Sequence, residues 1–351
     1  MEGNTLNLQH TKGYSQYKEK IKISIIISAY NEGKLPRRCL MSVLSQTYKD
    51  LEIIVIDDGS TDDTAEILDA FAMKDTRIVA VHQANVGLVE VREKGISLAT
   101  GDFIGFVDGD DTIQPDMYER LLDNALKYNA DISHCGMLYC FADGRRKPMR
   151  GLGTLCIMDN IEGQIQLLKG TVFEPSLCNK LYSAKLLRNS CLDKSITNNE
   201  DLLRNFVLFK RAKSSVYEDF CGYLYWRREN SMSNNNRQIE IWNDILEARR
   251  LIVENSADGV REAAESSWIL ALIAAYNSLL GLEDETSSHM RCVYRKQLMD
   301  NKEYFSHLDR KYVYLAELII RAPAIYFVMQ RVHQVIVRYR IKQSARKASR
   351  K

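Results

Sequence analysis

In Phe103-Ile104-Gly105-Phe106-Val107-Asp108-Gly109-Asp110-Asp111, an apolar run too short for a helix ends abruptly in three carboxylates. An apolar run of this length, bounded by turn residues, reads as a buried strand. The acids then stand just past its C-terminal edge. Two carboxylates 4 Å apart repel by about 4 kcal/mol at an effective dielectric of 20, so a fold that clusters them usually has a cation to place there. A hard divalent ion, Mn²⁺ or Mg²⁺, carried by a phosphorylated ligand suits oxygen donors of this kind. Taken alone, such a triplet reads more simply as a solvated acidic turn.

The flanking sequence changes that balance. Upstream, Ile23–Ser28 reads as a first strand, followed by the turn Ser28-Ala29-Tyr30-Asn31-Glu32-Gly33 and a helix with Pro36 in its first turn. Leu51–Ile56 is a second strand ending in Asp57-Asp58-Gly59-Ser60, where Ser60 and Asp63 suit a helix start. Arg77–Val81 is a third strand, and residues 87–99 form a helix before the quoted fourth strand. Pro115 opens another helix, and Asp131–Tyr139 is a fifth strand. Near-continuous apolar strands alternating with helices predict an α/β fold, Rossmann-like, with a mostly parallel central sheet covered by helices on both faces. In open sheets of this class ligands bind beyond the carboxyl ends of the strands. Three polar clusters fall there: Tyr30-Asn31-Glu32, Asp57-Asp58, and Asp108/Asp110/Asp111. Three clusters at one edge point to a site.

Beyond residue 140 the regularity weakens. Residues 141–153 read as a loop and 160–169 as a short helix. Glu200-Asp201 leads into a helix, and residues 215–226 read as strand up to Arg227-Arg228. From about Glu240 the pattern is helical. The predicted organisation is a polar extension over 1–21, an α/β domain over 22–235, and a helical C-terminal region over 236–351.

The segments Ser28-Ala29-Tyr30-Asn31-Glu32, Ser45-Gln46-Thr47-Tyr48, Asp57-Asp58-Gly59-Ser60-Thr61-Asp62, Asn85-Val86-Gly87-Leu88 and Phe106-Val107-Asp108-Gly109-Asp110-Asp111 occur in this order. With the later Glu200-Asp201 they resemble family 2 glycosyltransferases of the GT-A fold, over roughly residues 22–230. The resemblance implies transfer of a hexosyl or N-acetylhexosaminyl group from a nucleotide-diphosphate donor, commonly UDP-linked, with inversion, in polysaccharide or glycolipid synthesis. It assigns Ala29, Tyr30, Glu32, Asp57, Asp58, Arg92 and Asp108 to the nucleotide. It makes Asp110, with Asp108, the metal ligand for Mn²⁺ or Mg²⁺, and Asp201, beside Glu200, the base that deprotonates the acceptor hydroxyl. Lys180 and Arg228 are candidate diphosphate partners. Bland readings stand beside these: Asp57 bracing its turn, Glu200-Asp201 complementing a helix dipole, Arg227 and Arg228 as solvated strand-end charges, and His134 as a structural residue. Asp111 has no assigned role. Relatives often carry Arg-Asn where this chain has Arg92-Glu93. The Gln-x-x-Arg-Trp signature of processive synthases is absent, which favours transfer of one sugar at a time.

Composition adds limits. Of 351 residues, 45% are hydrophobic and 27% charged, ordinary for a globular protein. Net charge is +2, but residues 331–351 hold eight Lys/Arg and no acid, leaving 40 basic against 46 acidic side chains elsewhere. Eight cysteines without a CxxC pair read as free thiols in a reducing compartment. No signal-peptide pattern or spanning apolar run is read, and no nucleic-acid partner is expected. Ile325, Val328, Met329, Val332, Val335, Ile336 and Tyr339 form an apolar helical stripe followed by a basic run. Such a helix suits an anionic membrane surface, and packing against the catalytic body is the alternative. The expected partners are a nucleotide-sugar donor and a saccharide or lipid-linked acceptor. The expected location is cytoplasmic, peripheral on the inner face of the membrane.

Overall fold

A computed structural model describes residues 21–149, 153–190, 199–227 and 238–348. The first four strands are β1 (Ile23–Ala29), β2 (Leu51–Asp57), β3 (Ile78–His82) and β4 (Phe103–Asp108). Between and after them lie α1 (Leu35–Leu44), α2 (Thr64–Ala72), α3 (Leu88–Leu98) and α4 (Met117–Lys127). β1 pairs in parallel with both β2 and β4, and β2 with β3, as the apolar strands predict. Ile23, Ile25 and Ile27 of β1 and Ile53, Val55 and Ile56 of β2 are fully buried. Each such side chain contributes about 1.5–3 kcal/mol of hydrophobic stabilisation.

The second half of the sheet is mixed. β5 (Thr112–Ile113) follows β4, then β6 (Ile132–Phe141), β7 (Arg146–Pro148), β8 (Leu155–Asp159), β9 (Lys180–Ser183) and β10 (Ser214–Arg227). The strand order is β3-β2-β1-β4-β9-β6-β10-β5, with β7 on β6 and β8 on β10. The four-residue β9 is antiparallel to both β4 and β6, so β6 and its parallel neighbour β10 run the same way as β4. The C-terminal ends of β1, β2, β4, β6 and β10 therefore share one edge. β9 carries no alternating pattern long enough to mark it in the sequence. β7 lies within residues read as loop, for the same reason. Helices α5 (Asn160–Lys169), α6 (Ala184–Arg188) and α7 (Glu200–Arg211) complete this unit.

The helix after β2 begins differently from the sequence reading. The amide of Thr64 is satisfied by Asp62 Oδ1 at 3.0 Å, while Ser60 Oγ accepts the amide of Asn31 at 3.0 Å. Ser60 thus joins two loops instead of capping a helix.

The chain divides into two compact units at residue 235. The second contains α8 (Gln238–Asn255), α9 (Asp258–Ser278), α10 (Glu285–Asp300), a 3₁₀ turn (Lys302–His307), α11 (Arg310–Arg321) and α12 (Pro323–Ala348). Its core is built from Ile269, Leu272, Tyr276, Tyr294, Leu298, Ile319 and Tyr326. At the start of α12, Tyr326 is buried, with its hydroxyl donating to Asn277 Oδ1 at 2.7 Å. Ile325 (63% exposed), Val328 (59%) and Val335 (67%) face outward. Among the described residues no helix is long and apolar enough to cross a membrane, and all seven described cysteines are free thiols.

Candidate functional site

The edge is assembled by short polar cross-ties between consecutive loops. Asn31, in the left-handed region at φ 50°, accepts the Thr61 amide on Oδ1 at 2.8 Å. The Gly33 amide donates to Asp62 Oδ2 at 2.7 Å, and the Glu32 amide to Thr64 Oγ1 at 3.1 Å. These bonds clamp the β1–α1 loop onto the β2–α2 loop and leave Tyr30 46% exposed beside them. Ala29 is buried, and its carbonyl accepts the Asp58 amide at 2.9 Å.

The Asp57-Asp58 pair is turned inward. Asp57 Oδ1 accepts the Ser60 amide at 3.0 Å and Oδ2 lies 3.1 Å from His82 Nδ1. Asp69 and Asp57, flanking the His82 ring, raise its pKa above the ordinary histidine value. Asp58, assigned to the nucleotide by the resemblance, accepts from Gln83 Nε2 at 2.9 Å, Val86 N at 3.0 Å and Gly87 N at 2.8 Å. Three of roughly four acceptor positions of this carboxylate thus brace the 83–87 loop. The turn between the two needs Gly59: at φ +77° a Cβ there would stand 2.8 Å from the Asn85 amide nitrogen.

Past β4, Asp108 Oδ1 lies 3.3 Å from Arg92 Nη2 and 3.4 Å from Ser28 Oγ. Its amide donates to the Tyr223 hydroxyl at 3.2 Å, and that hydroxyl donates onward to Asp111 Oδ2 at 2.8 Å. Asp111 Oδ1 accepts the Trp226 amide at 2.8 Å, and the residue is fully buried. Asp111 therefore anchors the acidic turn to β10 and orients its neighbours. Arg38 of α1 donates to the Asp110 carbonyl at 2.8 Å while its guanidinium stacks 4.0 Å over the Trp226 ring. Burial, then the charges of Asp110 and Asp108, push the Asp111 carboxyl well above the carboxylate range. Asp108 is raised by burial and by Asp110 and Asp201, with Arg92 opposing.

Arg92 of α3 joins this turn to the start of α7. Its Nη1 donates to Glu200 Oε1 at 2.7 Å and to Asp201 Oδ1 at 2.5 Å. The side chain is 4% exposed. Burial opposes its charge, but Asp201, Asp108 and Glu200 outweigh that and hold its pKa well above the usual guanidinium value. Asp201 Oδ2 accepts the Leu177 amide at 3.2 Å, so both carboxylate oxygens are oriented by the protein. Burial and the neighbouring Asp201 push Glu200 up to about 8. The N-cap of α7, Asn199, is held at φ 68°. A second tie runs in the opposite sense: Arg204 of α7, buried, pairs with Glu93 of α3. Arg92 and Glu93 thus exchange charges with α7 in both directions.

Lys180 lies apart from solvent. It is fully buried, and its ammonium donates to the carbonyls of Glu174 (2.9 Å) and Ser176 (2.6 Å) and to Asn179 Oδ1 (2.9 Å). Burial brings its pKa down to about 8. Its role is to shape the 174–179 loop that presents the Leu177 amide to Asp201. Arg228 lies outside the described residues.

Of the sequence candidates, Asp108, Arg92, Glu200 and Asp201 are in mutual contact through one guanidinium. Asp58 and Lys180 are engaged in holding loops. Arg38, Tyr223 and the Glu93–Arg204 pair had no local signal; only the Glu93 departure from Arg-Asn hinted at the last.

The chemistry of the turn suits a hard cation. Asp108 and Asp110 offer oxygen donors, and Gly109 keeps the turn close: a Cβ there would lie 2.8 Å from the Ser28 carbonyl and run into the Glu32 carboxylate. Among the described residues no group of three or more His, Cys, Asp or Glu forms a cage. Two carboxylates, with the remaining positions left to phosphate and water, is the usual arrangement for Mg²⁺.

The model of the glycosyl transferase family 2 matches residues 24–190. Glycosyltransferase GlyG of Streptococcus pneumoniae is 30% identical over 236 residues, 64% of this chain and 77% of that protein. The uncharacterized glycosyltransferase EpsJ of Bacillus subtilis is 34% identical over 215 residues, 60% of this chain and 62% of that protein. The match therefore spans less than two thirds of EpsJ. Among solved structures, S. aureus TarS 1–349 in complex with UDP-GlcNAc superposes with a TM-score of 0.70 at 20% identity, covering 90% of this chain and 92% of that one. At that identity the likeness concerns the fold.

Proposed function

This chain belongs to glycosyl transferase family 2, and we propose that it is an inverting, metal-dependent transferase moving one sugar from a UDP-linked donor to a hydroxyl of a saccharide or lipid-linked acceptor. The observation that carries this reading is the convergence of Asp108, after β4, and Asp201, opening α7, on the single guanidinium of Arg92. A donor-side acid and an acceptor-side acid are thereby held in one constellation. UDP as the nucleotide is supported by the UDP-GlcNAc bound to the TarS fold neighbour.

In this proposal Asp201 is the general base. Arg92 and the Leu177 amide orient its carboxylate, which is 25% exposed and can meet an incoming hydroxyl. Inversion requires one in-line displacement, hence one base and no covalent intermediate. Asp110 and Asp108 would hold Mn²⁺ or Mg²⁺. When bound, the ion supplies charge neutralisation for the departing diphosphate. Tyr30 and Glu32, at the rim of the β1 loop, are the nucleotide contacts, with Ala29 and Asp58 shaping the floor. Arg92 and Glu200 are positioning residues. A non-catalytic protein of the same fold, binding nucleotide sugar or organising a membrane assembly, is the rival, and it would have no use for an oriented Asp201.

The outward face of α12, followed by the basic run, supports docking on an anionic membrane surface at the cytoplasmic side. Flotation with anionic liposomes should be salt-sensitive and should disappear when residues 323–351 are deleted; binding that survives the deletion removes this part.

The transferase reading is tested by screening nucleotide sugars for Mn²⁺-dependent thermal shift and donor hydrolysis. A UDP-sugar should give both, and Asp110→Ala should abolish the hydrolysis. Full activity in EDTA overturns the metal role, and silence across all UDP-sugars overturns the donor.

A further inference from the structure

β6 and β10 continue past the catalytic turn and carry a cluster of half-exposed aromatic rings. Tyr139 and Tyr225 stand directly opposite each other in the parallel pairing, ring centroids 5.5 Å apart at 74°. Phe141, two residues along β6, is 6.4 Å from Tyr139. Three rings meeting at a sheet edge would ordinarily be covered; these remain partly open. The cations around them share the same face. Arg227 lies 5.8 Å over Tyr139, Arg145 lies 5.0 Å over Phe141, and Lys147 of β7 is opposite Tyr139 in the pairing. Arg145 is neutralised by Asp143 at 2.6 Å, while Lys147 and Arg227 are exposed.

The place of this face is defined by Tyr223. It lies two residues before Tyr225 on β10, and so on the same side of the strand. Its hydroxyl is the one that accepts from the Asp108 amide and donates to Asp111. The aromatic face thus begins about 7 Å along the strand from a residue that touches the catalytic turn. The pairing of Trp226 with Cys140 and Arg146 puts those three on the opposite side, where Arg38 stacks on Trp226.

We propose that Tyr139, Phe141 and Tyr225, rimmed by Lys147 and Arg227, form the acceptor subsite and take a saccharide bearing carboxylate or phosphate groups. This rests on the transferase reading above. The C–H-bearing face of a pyranose is apolar and weakly positive, and it complements the negative face of an aromatic ring. The rings supply sequence-tolerant stacking for successive sugars. The rim cations select for anionic substituents, which also explains why the rim is basic although the body of the chain is acidic. Guanidinium and ammonium groups bind carboxylate and phosphate alike.

The test uses the full chain and calorimetric titration with three probes: galacturonate hexamer, phosphorylated maltohexaose and neutral maltohexaose. Wild type should bind at least one charged oligosaccharide about tenfold or more tighter than the neutral one, the worth of one good charge-assisted contact. Lys147→Glu combined with Arg227→Glu should erase that preference, and Tyr225→Ala should weaken charged and neutral probes together. Both changes are at exposed or half-exposed positions, and unaltered UDP binding by each variant reports an intact donor half. The relative affinity for the two charged probes identifies the anionic group. Equal affinity of wild type for charged and neutral probes, no binding of any probe, or an unchanged preference in the charge-reversed protein overturns the subsite. Because Mn²⁺-dependent hydrolysis of UDP-sugars is measured beside these titrations, that failure is distinct from a failure of the transferase reading, which would appear as no hydrolysis by wild type.

Discussion

Arg92 Nη1 lies 2.5 Å from Asp201 Oδ1, although the two residues are 109 positions apart in the chain. The same guanidinium reaches Asp108 at 3.3 Å. The acidic turn after β4 and the acids that open α7 therefore share one buried charge. That sharing sets what single substitutions should do.

Asp201→Asn keeps the size of the side chain and removes its ability to take a proton. Turnover should fall by about 10²–10⁴-fold, the scale of general-base catalysis, while affinity for the UDP-sugar changes little. Single-turnover kinetics beside a binding titration separates the two. A loss confined to donor affinity would reassign the residue.

Arg92→Met should behave differently. It leaves Glu200, Asp201 and Asp108 without their common cation in a buried setting, and removing one partner of a buried ion pair costs about 3–5 kcal/mol. Denaturant unfolding should show that loss. Arg92→Lys should recover only part of it, because a single ammonium cannot reproduce a planar fork addressing three carboxylates.

Glu93 and Arg204 form the reverse tie between α3 and α7. Glu93→Gln should lower turnover more than donor affinity, by letting the start of α7 shift. A double-mutant cycle with Arg204→Met should return a coupling of about 0.5–3 kcal/mol. Additive effects would show that the pair does not act as a unit.

His134 is fully buried among Phe173, Phe209 and Tyr217, and burial followed by the nearby Lys180 charge holds its pKa well below 6.5. In the unfolded chain the ring titrates normally, so below pH 6.5 the unfolded state binds the extra proton. Stability should therefore be full above that pH and fall by about 1.4 kcal/mol per pH unit beneath it, until the folded-state pKa is reached. His134→Leu should flatten this limb relative to wild type in urea titrations at pH 4.5–7; parallel curves would exclude the histidine as the cause.

The strands β1 to β4 and the acids that follow them were legible in the sequence because their signals are local. Ile23–Ala29 and Phe103–Asp108 are apolar runs that stop at polar turns, and a parallel sheet brings those turns to one edge. β9 was not legible: four residues containing a buried lysine carry no periodicity. Lys180 itself reads as a phosphate partner until its ammonium is found on three oxygens of its own loop. Asp58 is assigned to the nucleotide by its motif, and only the tertiary structure shows that it also takes the amides of Val86 and Gly87.

The opening stretch shows the same division. That Asp108-Gly109-Asp110-Asp111 is an acidic turn at the ligand edge of an α/β sheet follows from the chain alone, because hydrophobic runs and breakers act over a few residues. The separate tasks of its acids were decided by tertiary structure. Asp111 is sealed against β10 by Tyr223 and the Trp226 amide, the Asp110 carbonyl is held by Arg38, and Asp108 meets Arg92. Charges act through space in a low-dielectric interior, and their partners come from strands and helices that the order of residues does not reveal.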